Sequence, residues 1–237
     1  MLILSIDTST LVSSVAVASE EKLLAELTTQ TRLTHSETLL PHIAEVLKLA
    51  GIERQQLDAV AISIGPGSFT GLRIGLAAAK AICYALNIPL VTIPTLEVLA
   101  ARFPIAETKI CAMLDAQKGN AYRAIYEWQN GIMHCRKELA VLSVSDILAE
   151  CTAANDPIIL TGDIVQKKSA AWQLPPLVTI APPALVMPRA AEVAFLGLER
   201  LQRGETDNLM NAEPLYVRRS EAEVLWEARQ KKAVPDA

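Results

Sequence analysis

The 237-residue chain has the composition of a globular protein with an aliphatic interior: 51% of its residues are hydrophobic, 20% are charged and 4% are aromatic. This composition excludes a disordered or collagen-like chain. The 22 basic and 26 acidic residues leave a formal charge of -4, which gives no overall attraction for a nucleic-acid backbone. Any contact with RNA is therefore expected to be local or to depend on a partner.

The cysteines and the N-terminus indicate a protein of the reducing cytoplasm. No two cysteines form a C-x-x-C pair, so we expect buried reduced thiols rather than a zinc site or a redox dithiol. The N-terminal apolar run lacks a basic segment and reaches Asp7 too soon for a signal peptide. No later apolar run is long enough to span a membrane without a charge or a proline. We expect a cytoplasmic protein with no membrane contact.

The first half of the chain predicts a β-hairpin followed by alternating helices and strands. A capping-box pattern at 34–37 and Gly51 mark the ends of the first helix. The predicted elements are strands at 2–6, 11–18 and 22–29, a helix at 36–50, a strand at 58–64, a helix at 68–86, a strand at 90–93 and a helix at 96–102.

The pattern restarts in the second half. It predicts strands at 109–114, 121–126 and 138–142, a helix at 143–150, a strand at 157–160, a turn at 162–163, a proline-interrupted segment at 174–188, a helix at 189–203, an extended piece at 213–219 and a terminal helix at 221–232.

The repeat predicts an α/β protein built from two related βββα units. In each half a strand ends in an aspartate and is followed by a polar turn, a return strand and a third strand. We expect an N-terminal subdomain at 1–103 and a C-terminal subdomain at 104–212. The segment 213–237 is expected to return to the N-terminal half.

The most informative motif is G-P-G-S-F-T-G-L-R-I-G at 65–75, where a strand passes into a helix. Such a junction can bind an anion, but Thr70 occupies a position where both the Walker and the Rossmann patterns require glycine. Gly67, Gly71 and Gly75 instead recur at every fourth residue and leave one helix face without side chains. Two interpretations stay open: these glycines seat the helix on its own sheet, or they form a surface for another protein.

Arg73 lies in the first turn of the same helix, where the helix dipole disfavours a cation. Some other group is therefore expected to hold it. Together with Lys80 and Tyr84 it forms a narrow polar stripe on an otherwise apolar helix. The stripe predicts either a carboxylate on a partner or a solvated face.

Asp7 and Asp115 each end an apolar strand beside a polar turn, the arrangement that actin-like ATPases use to hold metal and phosphates between two halves. Thr8 and Ser9 supply donors and acceptors in the first turn. The second turn, Gln-Lys-Gly-Asn at 117–120, lacks the glycine-rich, acidic character of a second phosphate loop. The sequence thus predicts a residual nucleotide contact at Asp7, Thr8, Ser9 and Asp115 rather than nucleotide turnover.

No metal site is expected from the histidines. His35 and His42 are seven residues apart, about two helical turns, which is too far for two ligands of one ion. His134 stands alone. Capping or packing at an interface is the expected role of His35.

The residues I-D-T-S at 6–9, H-S-E at 35–37 and the motif at 65–75 resemble the TsaB (YeaZ) family. The likeness covers nearly the whole chain, is most specific in the first hundred residues and returns at P-L-Y-V-R, residues 214–218. It departs after Asp115, where the family usually shows an arginine soon after Asp-Ala and this chain has Gln-Lys.

The resemblance implies an actin-like ATPase (ASKHA) fold of two βββα-type halves with mixed sheets. It implies a non-catalytic partner of TsaD, the relative that transfers a threonylcarbamoyl group to the adenosine beside the tRNA anticodon. TsaE, an ATPase, is the implied third component, and the chain alone would form a homodimer. No tightly bound cofactor is implied: ATP or ADP would bind only at the interface of the complex, and tRNA would be met only through the complex.

The family's partner surface is formed by its first two helices. The implied contact residues here are His35, Glu37, Leu39, His42, Gly67, Phe69, Gly71, Leu72, Arg73, Gly75 and Leu76. On this interpretation, Gly71→Leu is expected to separate the complex and leave the monomer folded.

Two other classes of function stay open. An actin-like ATPase or kinase would bind a metal and a nucleotide across Asp7 and Asp115. A peptidase, an old label for this superfamily, would need a nucleophile or a metal, and the sequence offers neither.

Overall fold

A computed structural model describes residues 1–30 and 35–217 of the chain, which form two five-stranded sheets and six α-helices within those ranges. The first half contains β1 (Leu2–Asp7), β2 (Ser13–Ser19), β3 (Leu23–Thr29), α1 (His35–Ala50), β4 (Ala59–Gly65), α2 (Phe69–Leu86), β5 (Leu90–Pro94) and α3 (Thr95–Ala101). The second half contains β6 (Lys109–Asp115), β7 (Asn120–Gln129), β8 (Ile132–Ser143), α4 (Val144–Ala153), β9 (Ile158–Thr161), α5 (Asp163–Lys168), β10 (Val178–Ile180) and α6 (Ala190–Gln202).

The two sheets have the same topology. The first has the order β3-β2-β1-β4-β5 and the second β10-β9-β6-β7-β8, so each sheet contains three antiparallel strands continued by two parallel ones. The expected internal repeat is therefore present, and both sheets are mixed. The central strands β1 and β4 are buried on both faces, which explains why most of their residues are aliphatic.

The second half differs from its predicted elements at three places. The turn expected at 162–163 is the start of α5, and the segment expected to be irregular at 174–188 contains β10. In addition, β8 begins six residues before the predicted 138–142 strand, at Ile132. The helix expected at 221–232 lies outside the described residues.

The two halves exchange helices, so the predicted segments 1–103 and 104–212 are not separate packing units. Helix α6 comes from the second half but packs on the first sheet, where Val193 and Ala194 join the cluster of Ile3 and Ala61. Helix α3 comes from the first half but contacts β6 and β7 as well as β4 and β5. The elements stack in layers. Helices α1 and α2 form the first layer, and the first sheet, the pair α6 and α3, the second sheet and the pair α4 and α5 follow in that order.

The last described segment, residues 207–217, returns to the first half, and we call it the C-terminal strap. The backbone N–H of Asp207 donates to the Leu90 carbonyl at 2.9 Å, and that of Leu215 donates to the Ile64 carbonyl at 2.7 Å. The carboxylate of Asp207 also accepts from the backbone N–H of Thr92 at 2.7 Å. The strap is thus hydrogen-bonded to β4 and β5.

Helix α2 is the one helix in the described ranges with the length and apolar composition needed to cross a membrane. It carries Arg73 and Lys80, and its side chains Leu72, Leu76 and Cys83 are buried in the protein's own core. This packing identifies α2 as a helix of the α/β core.

The cysteines partly match the expected buried thiols. Cys83, Cys111 and Cys151 are buried and free, whereas Cys135 is exposed on β8. Burial raises the pKa of the Cys83 thiol to about 12, which keeps it protonated and unreactive at neutral pH.

Candidate functional site

A cleft of about 580 Å³ lies between the two halves, where β1 and β6 end. The first half lines it with residues 9–11 after β1 and with residues 67–70 and 72 at the start of α2. The second half lines it with residues 114–118 and 122, with Asp163 and Lys167 of α5, and with residues 215–217 of the C-terminal strap.

The turn after β1, residues 8–12 and here called the first turn, is fastened to the start of α2. The Thr8 hydroxyl donates to the Gly71 carbonyl at 2.8 Å. The backbone N–H of Ser68 donates to the Ser9 carbonyl at 2.7 Å. Thr8 and Ser9 are both buried, so this part of the first turn is fixed against α2, whereas Leu11 is 67% exposed at the cleft.

The three glycines of α2 make this contact possible. A Cβ atom at Gly67 would lie 2.2 Å from the Ser9 carbonyl oxygen, one at Gly71 would lie 2.1 Å from the Thr8 carbonyl oxygen, and one at Gly75 would lie 2.2 Å from the Thr8 hydroxyl. The glycine face therefore seats α2 against its own chain. This corrects the expectation that Gly67, Gly71 and Gly75 meet the backbone of a second molecule.

Asp7 is fully buried, and both of its carboxylate oxygens are occupied. Oδ1 accepts from the Ser9 backbone N–H at 3.0 Å and from the Ser9 hydroxyl at 2.9 Å, while the Ser63 hydroxyl donates to Oδ2. Burial raises the pKa of Asp7 although these hydrogen bonds lower it. Asp7 does not line the cleft, and this corrects its predicted place in a nucleotide site.

Asp115, the counterpart of Asp7 in the second sheet, does line the cleft. Its Oδ1 accepts from the Gln117 backbone N–H at 2.8 Å, and its Oδ2 lies 3.3 Å from the ammonium of Lys167. Lys167 also pairs with Asp163 at 2.8 Å. Burial acts to lower the pKa of Lys167, but the hydrogen bonds and negative charges of Asp163 and Asp115 outweigh it and raise that pKa. Asp115, Asp163 and Lys167 are thus paired with one another, whereas Lys118, which also lines the cleft, forms no ion pair with a described residue.

Arg73 is held by the C-terminal strap rather than by a carboxylate. Its Nε–H donates to the Tyr216 hydroxyl at 2.7 Å, and its guanidinium carbon lies 3.9 Å from the centre of the Phe69 ring. Lys80, one step further along the stripe, donates to the carbonyl oxygens of Met210 and Ala212, each at 3.1 Å. The strap thus explains how α2 tolerates both cations.

Comparison with known proteins identifies the family. A family model described as TsaD: tRNA N6-adenosine threonylcarbamoyltransferase matches residues 22–226. Over 98% of its length the chain is 30% identical to the tRNA threonylcarbamoyladenosine biosynthesis protein TsaB of Bacillus subtilis, all of which is covered. The chain belongs to the TsaB family. The Escherichia coli protein of the same name is 28% identical, over 94% of this chain and 96% of that protein.

Solved structures agree with this placement of the TsaB-family chain. A structure described as YeaZ from Pseudomonas aeruginosa has a TM-score of 0.79 at 28% identity, covering 91% of this chain and 99% of that one. A second P. aeruginosa structure, described as similar to peptidase YEAZ, has a TM-score of 0.79 at 29% identity, covering 92% of this chain and 99% of that one. The actin-like ATPase fold expected from the sequence is confirmed.

The two histidines of α1 in this TsaB-family protein contact the first turn and the start of β2. His35 donates from Nε2 to the Thr10 carbonyl at 2.8 Å. The Nδ1 atom of His42 lies 3.4 Å from the Ser13 hydroxyl, and burial lowers the pKa of His42. The described residues contain no group of three side chains able to hold a metal ion.

The remaining predicted contact residues divide by exposure. Leu39, Leu72 and Leu76 are buried: Leu39 and Leu76 belong to the core between α1, α2 and the first sheet, and Leu72 lines the cleft between the halves. Glu37 and Arg73 are exposed, and Phe69 is half-buried beside Tyr216. The structure therefore reduces the exposed candidates on α1 and α2 to a small set around the polar stripe.

Two features of the site were missed from the sequence. The first is the Asp163–Lys167 pair on α5, for which the four-residue spacing of an acid and a base was a usable signal. The second is the pairing of Arg73 with Tyr216, which are 143 residues apart and carry no local signal.

Replacing Asp7 with asparagine is expected to stabilise the TsaB-family protein at neutral pH. Because burial raises the folded-state pKa of Asp7, its ionisation favours the unfolded chain at any pH above the ordinary carboxyl pKa. Asparagine keeps the acceptor for Ser9 and has no charge to desolvate. Urea unfolding should show a gain at pH 7 that shrinks as the pH falls towards 4. A loss of stability at pH 7 would contradict this account of Asp7.

Proposed function

We propose that this chain acts in the biosynthesis of threonylcarbamoyladenosine in tRNA as a non-catalytic partner of TsaD. The observation that carries the proposal is the state of Asp7. In an actin-like site this aspartate would have to offer its oxygens to a phosphate-bound metal ion, but here they accept hydrogen bonds from Ser9 and Ser63 inside the protein. This arrangement supports a chain that keeps the fold and performs no chemistry at Asp7.

The other side of the cleft supports the same proposal. A phosphate entering there would meet Asp115 and Asp163 as repulsive charges, and it would compete with both of them for Lys167, which leaves the exposed Lys118 as the one cation of the described lining without an ion pair. We therefore place no tightly bound nucleotide in this cleft. ATP or ADP would bind at the interface of the assembled complex, where the partner supplies further groups.

The proposed surface for TsaD is the exposed side of α1 and α2, which pack against each other beside the first sheet. Three large apolar side chains are strongly exposed on these helices: Leu40 is 62%, Leu49 is 60% and Tyr84 is 78% exposed. Large apolar side chains on a protein surface are typical of protein interfaces. Without TsaD, the same surface would pair two copies of this chain, and TsaE and tRNA would join through the complex.

Reconstitution tests the proposed role. Purified TsaD and TsaE, tRNA and the threonylcarbamoyl donor are incubated with and without this chain, and modified nucleoside is measured by mass spectrometry after digestion. We expect modification only when the chain is present, and we expect Asp7→Asn to support it as well as the wild type. Modification at full rate without the chain, or its loss with Asp7→Asn, would contradict the proposal.

A calorimetric titration separates the proposal from an ATPase or kinase. The chain alone, titrated with ATP and magnesium, is expected to release no binding heat. Tight metal-dependent binding that Asp115→Asn abolishes would favour the enzyme instead.

A pair of surface variants locates the partner contact. Leu40→Glu places a charge on the proposed face of α1, whereas Ile132→Glu places one at a similarly exposed position in the second half, where Ile132 is 61% exposed. Leu40→Glu is expected to prevent co-elution with TsaD, and Ile132→Glu is expected to leave it unchanged. Equal behaviour of the two variants would place the interface elsewhere.

A further inference from the structure

A second, open groove of about 400 Å³ lies between the C-terminal strap and α2 on the surface of the first half. Arg73, Ala77 and Lys80 line it from α2, and Glu213, Pro214 and Tyr216 line it from the strap. Leu76 also lines it, so the lining combines apolar side chains with two cations, Arg73 and Lys80, and one carboxylate, Glu213. The groove is separate from the cleft between the halves, although Tyr216 contributes to both.

Arg73 is held in one orientation within this groove. Phe69 and Tyr216 stack near each other with ring centres 4.9 Å apart, and the guanidinium of Arg73 lies over the Phe69 ring. Within residues 1–30 and 35–217, Tyr216 is the hydrogen-bond acceptor of Arg73, and it takes only the Nε–H. The two terminal nitrogens keep the forked geometry that binds a carboxylate through two parallel hydrogen bonds.

The charges of the groove are not balanced by close ion pairs. Neither Arg73 nor Lys80 forms an ion pair with a carboxylate of the described residues, and Lys80 binds two backbone carbonyls instead. With two cations against the one carboxylate of Glu213, the lining keeps a net positive charge beside apolar side chains, which is complementary to an amphipathic helix that carries an acidic side chain.

We propose that the C-terminal strap and α2 form one composite docking groove for an acidic helix of the TsaD-type partner, in which a partner carboxylate pairs with the terminal nitrogens of Arg73. This inference rests on the proposed function and adds the strap to the surface of α1 and α2. Tyr216 is the positioning residue: it fixes the guanidinium before the partner arrives, so less side-chain entropy is lost on binding. Lys80 and the anchors at Asp207 and Leu215 fix the strap.

Four variants test the groove by titration calorimetry against the partner protein, with the melting temperature of each variant as a check on folding. Arg73→Gln is expected to weaken the affinity by about tenfold to a hundredfold, because the charged hydrogen bonds to the partner are lost. It is also expected to reduce the dependence of the affinity on salt between 50 and 200 mM NaCl, because the variant lacks the exposed ion pair that salt screens. Arg54→Gln, in a solvent-exposed turn, is the matched control and is expected to bind like the wild type.

A double-mutant cycle separates positioning from structure. Tyr216→Phe keeps the ring beside Phe69 but removes the acceptor for Arg73, and it is expected to weaken binding by about threefold to tenfold. In the Arg73→Gln background the same change is expected to have no further effect. An equal effect in both backgrounds would overturn the positioning role of Tyr216.

The outcomes distinguish a failure of this inference from a failure of the proposed function on which it rests. If Arg73→Gln binds within twofold of the wild type while Leu40→Glu abolishes binding, the composite groove is wrong and the face of α1 and α2 stands. If Arg73→Gln changes only the self-association of this chain, the occupant is a second copy and the proposal is overturned. If the wild-type chain shows no binding to TsaD, the proposed function fails first.

Discussion

A Gly71→Ala variant is expected to lose more than about 3 kcal/mol of folding free energy, at the upper end for overpacking of a core. The added Cβ would lie 2.1 Å from the carbonyl oxygen of Thr8, an atom of the backbone. This backbone cannot retreat easily, because the Thr8 hydroxyl is bonded to the Gly71 carbonyl and the Ser9 carbonyl is bonded to Ser68. The first turn and α2 would have to separate.

Urea unfolding measures this loss, and Ala81→Leu is the matched control. Ala81 lies on the same helix but is exposed, so a larger side chain there meets solvent, and its stability should stay within about 0.5 kcal/mol of the wild type. The expectation that Gly71→Leu would split a complex and spare the monomer is replaced: the monomer itself should be damaged. A Gly71→Ala protein as stable as the wild type would show that α2 does not need its glycine face.

The repeated hairpins were predictable because each depends on local pattern. Strands β1, β2, β6 and β7 are apolar runs broken by short polar turns, and their pairing follows from proximity in sequence. By contrast, β10 has only three residues and lies among prolines, so its strand character comes from pairing with β9. The exchange of α3 and α6 between the sheets depends on the tertiary fold, which no local pattern encodes.

The functional site was likewise predictable only where it depends on local sequence. The sequence indicated that Arg73 needs a holding group and that the glycines allow a close approach, and both statements describe the structure. It did not indicate that the holding group is Tyr216 or that the approaching backbone is the chain's own first turn, since both depend on contacts between distant segments. The polar first turn was interpreted as a ligand site, but composition alone does not show that it lines the cleft with residues 9–11 and is also hydrogen-bonded to the start of α2.

Loss of the ion pair between Arg200 and Glu97 is expected to have the second large effect, because it joins the two exchanged helices. Arg200 on α6 binds both carboxylate oxygens of Glu97 on α3, at 2.8 and 2.9 Å, and donates to the Thr92 carbonyl of β5. Burial raises the pKa of Glu97, and the charge of Arg200 opposes that rise. Arg200→Met removes the opposing charge and leaves a buried carboxylate, at a cost of about 3 kcal/mol.

The pH dependence and a double variant identify the cause of this loss. A carboxyl whose folded-state pKa is raised destabilises the fold above its ordinary pKa and ceases to do so once it is protonated, so the effect of Arg200→Met should be larger at pH 8 than at pH 5. The double variant Glu97→Gln, Arg200→Met should recover most of the stability at pH 8, since no charge is then buried. A loss independent of pH, and unrepaired in the double variant, would assign the effect to packing of the arginine stem. A single urea transition throughout would show that the two halves unfold together, as the exchange of α3 and α6 requires.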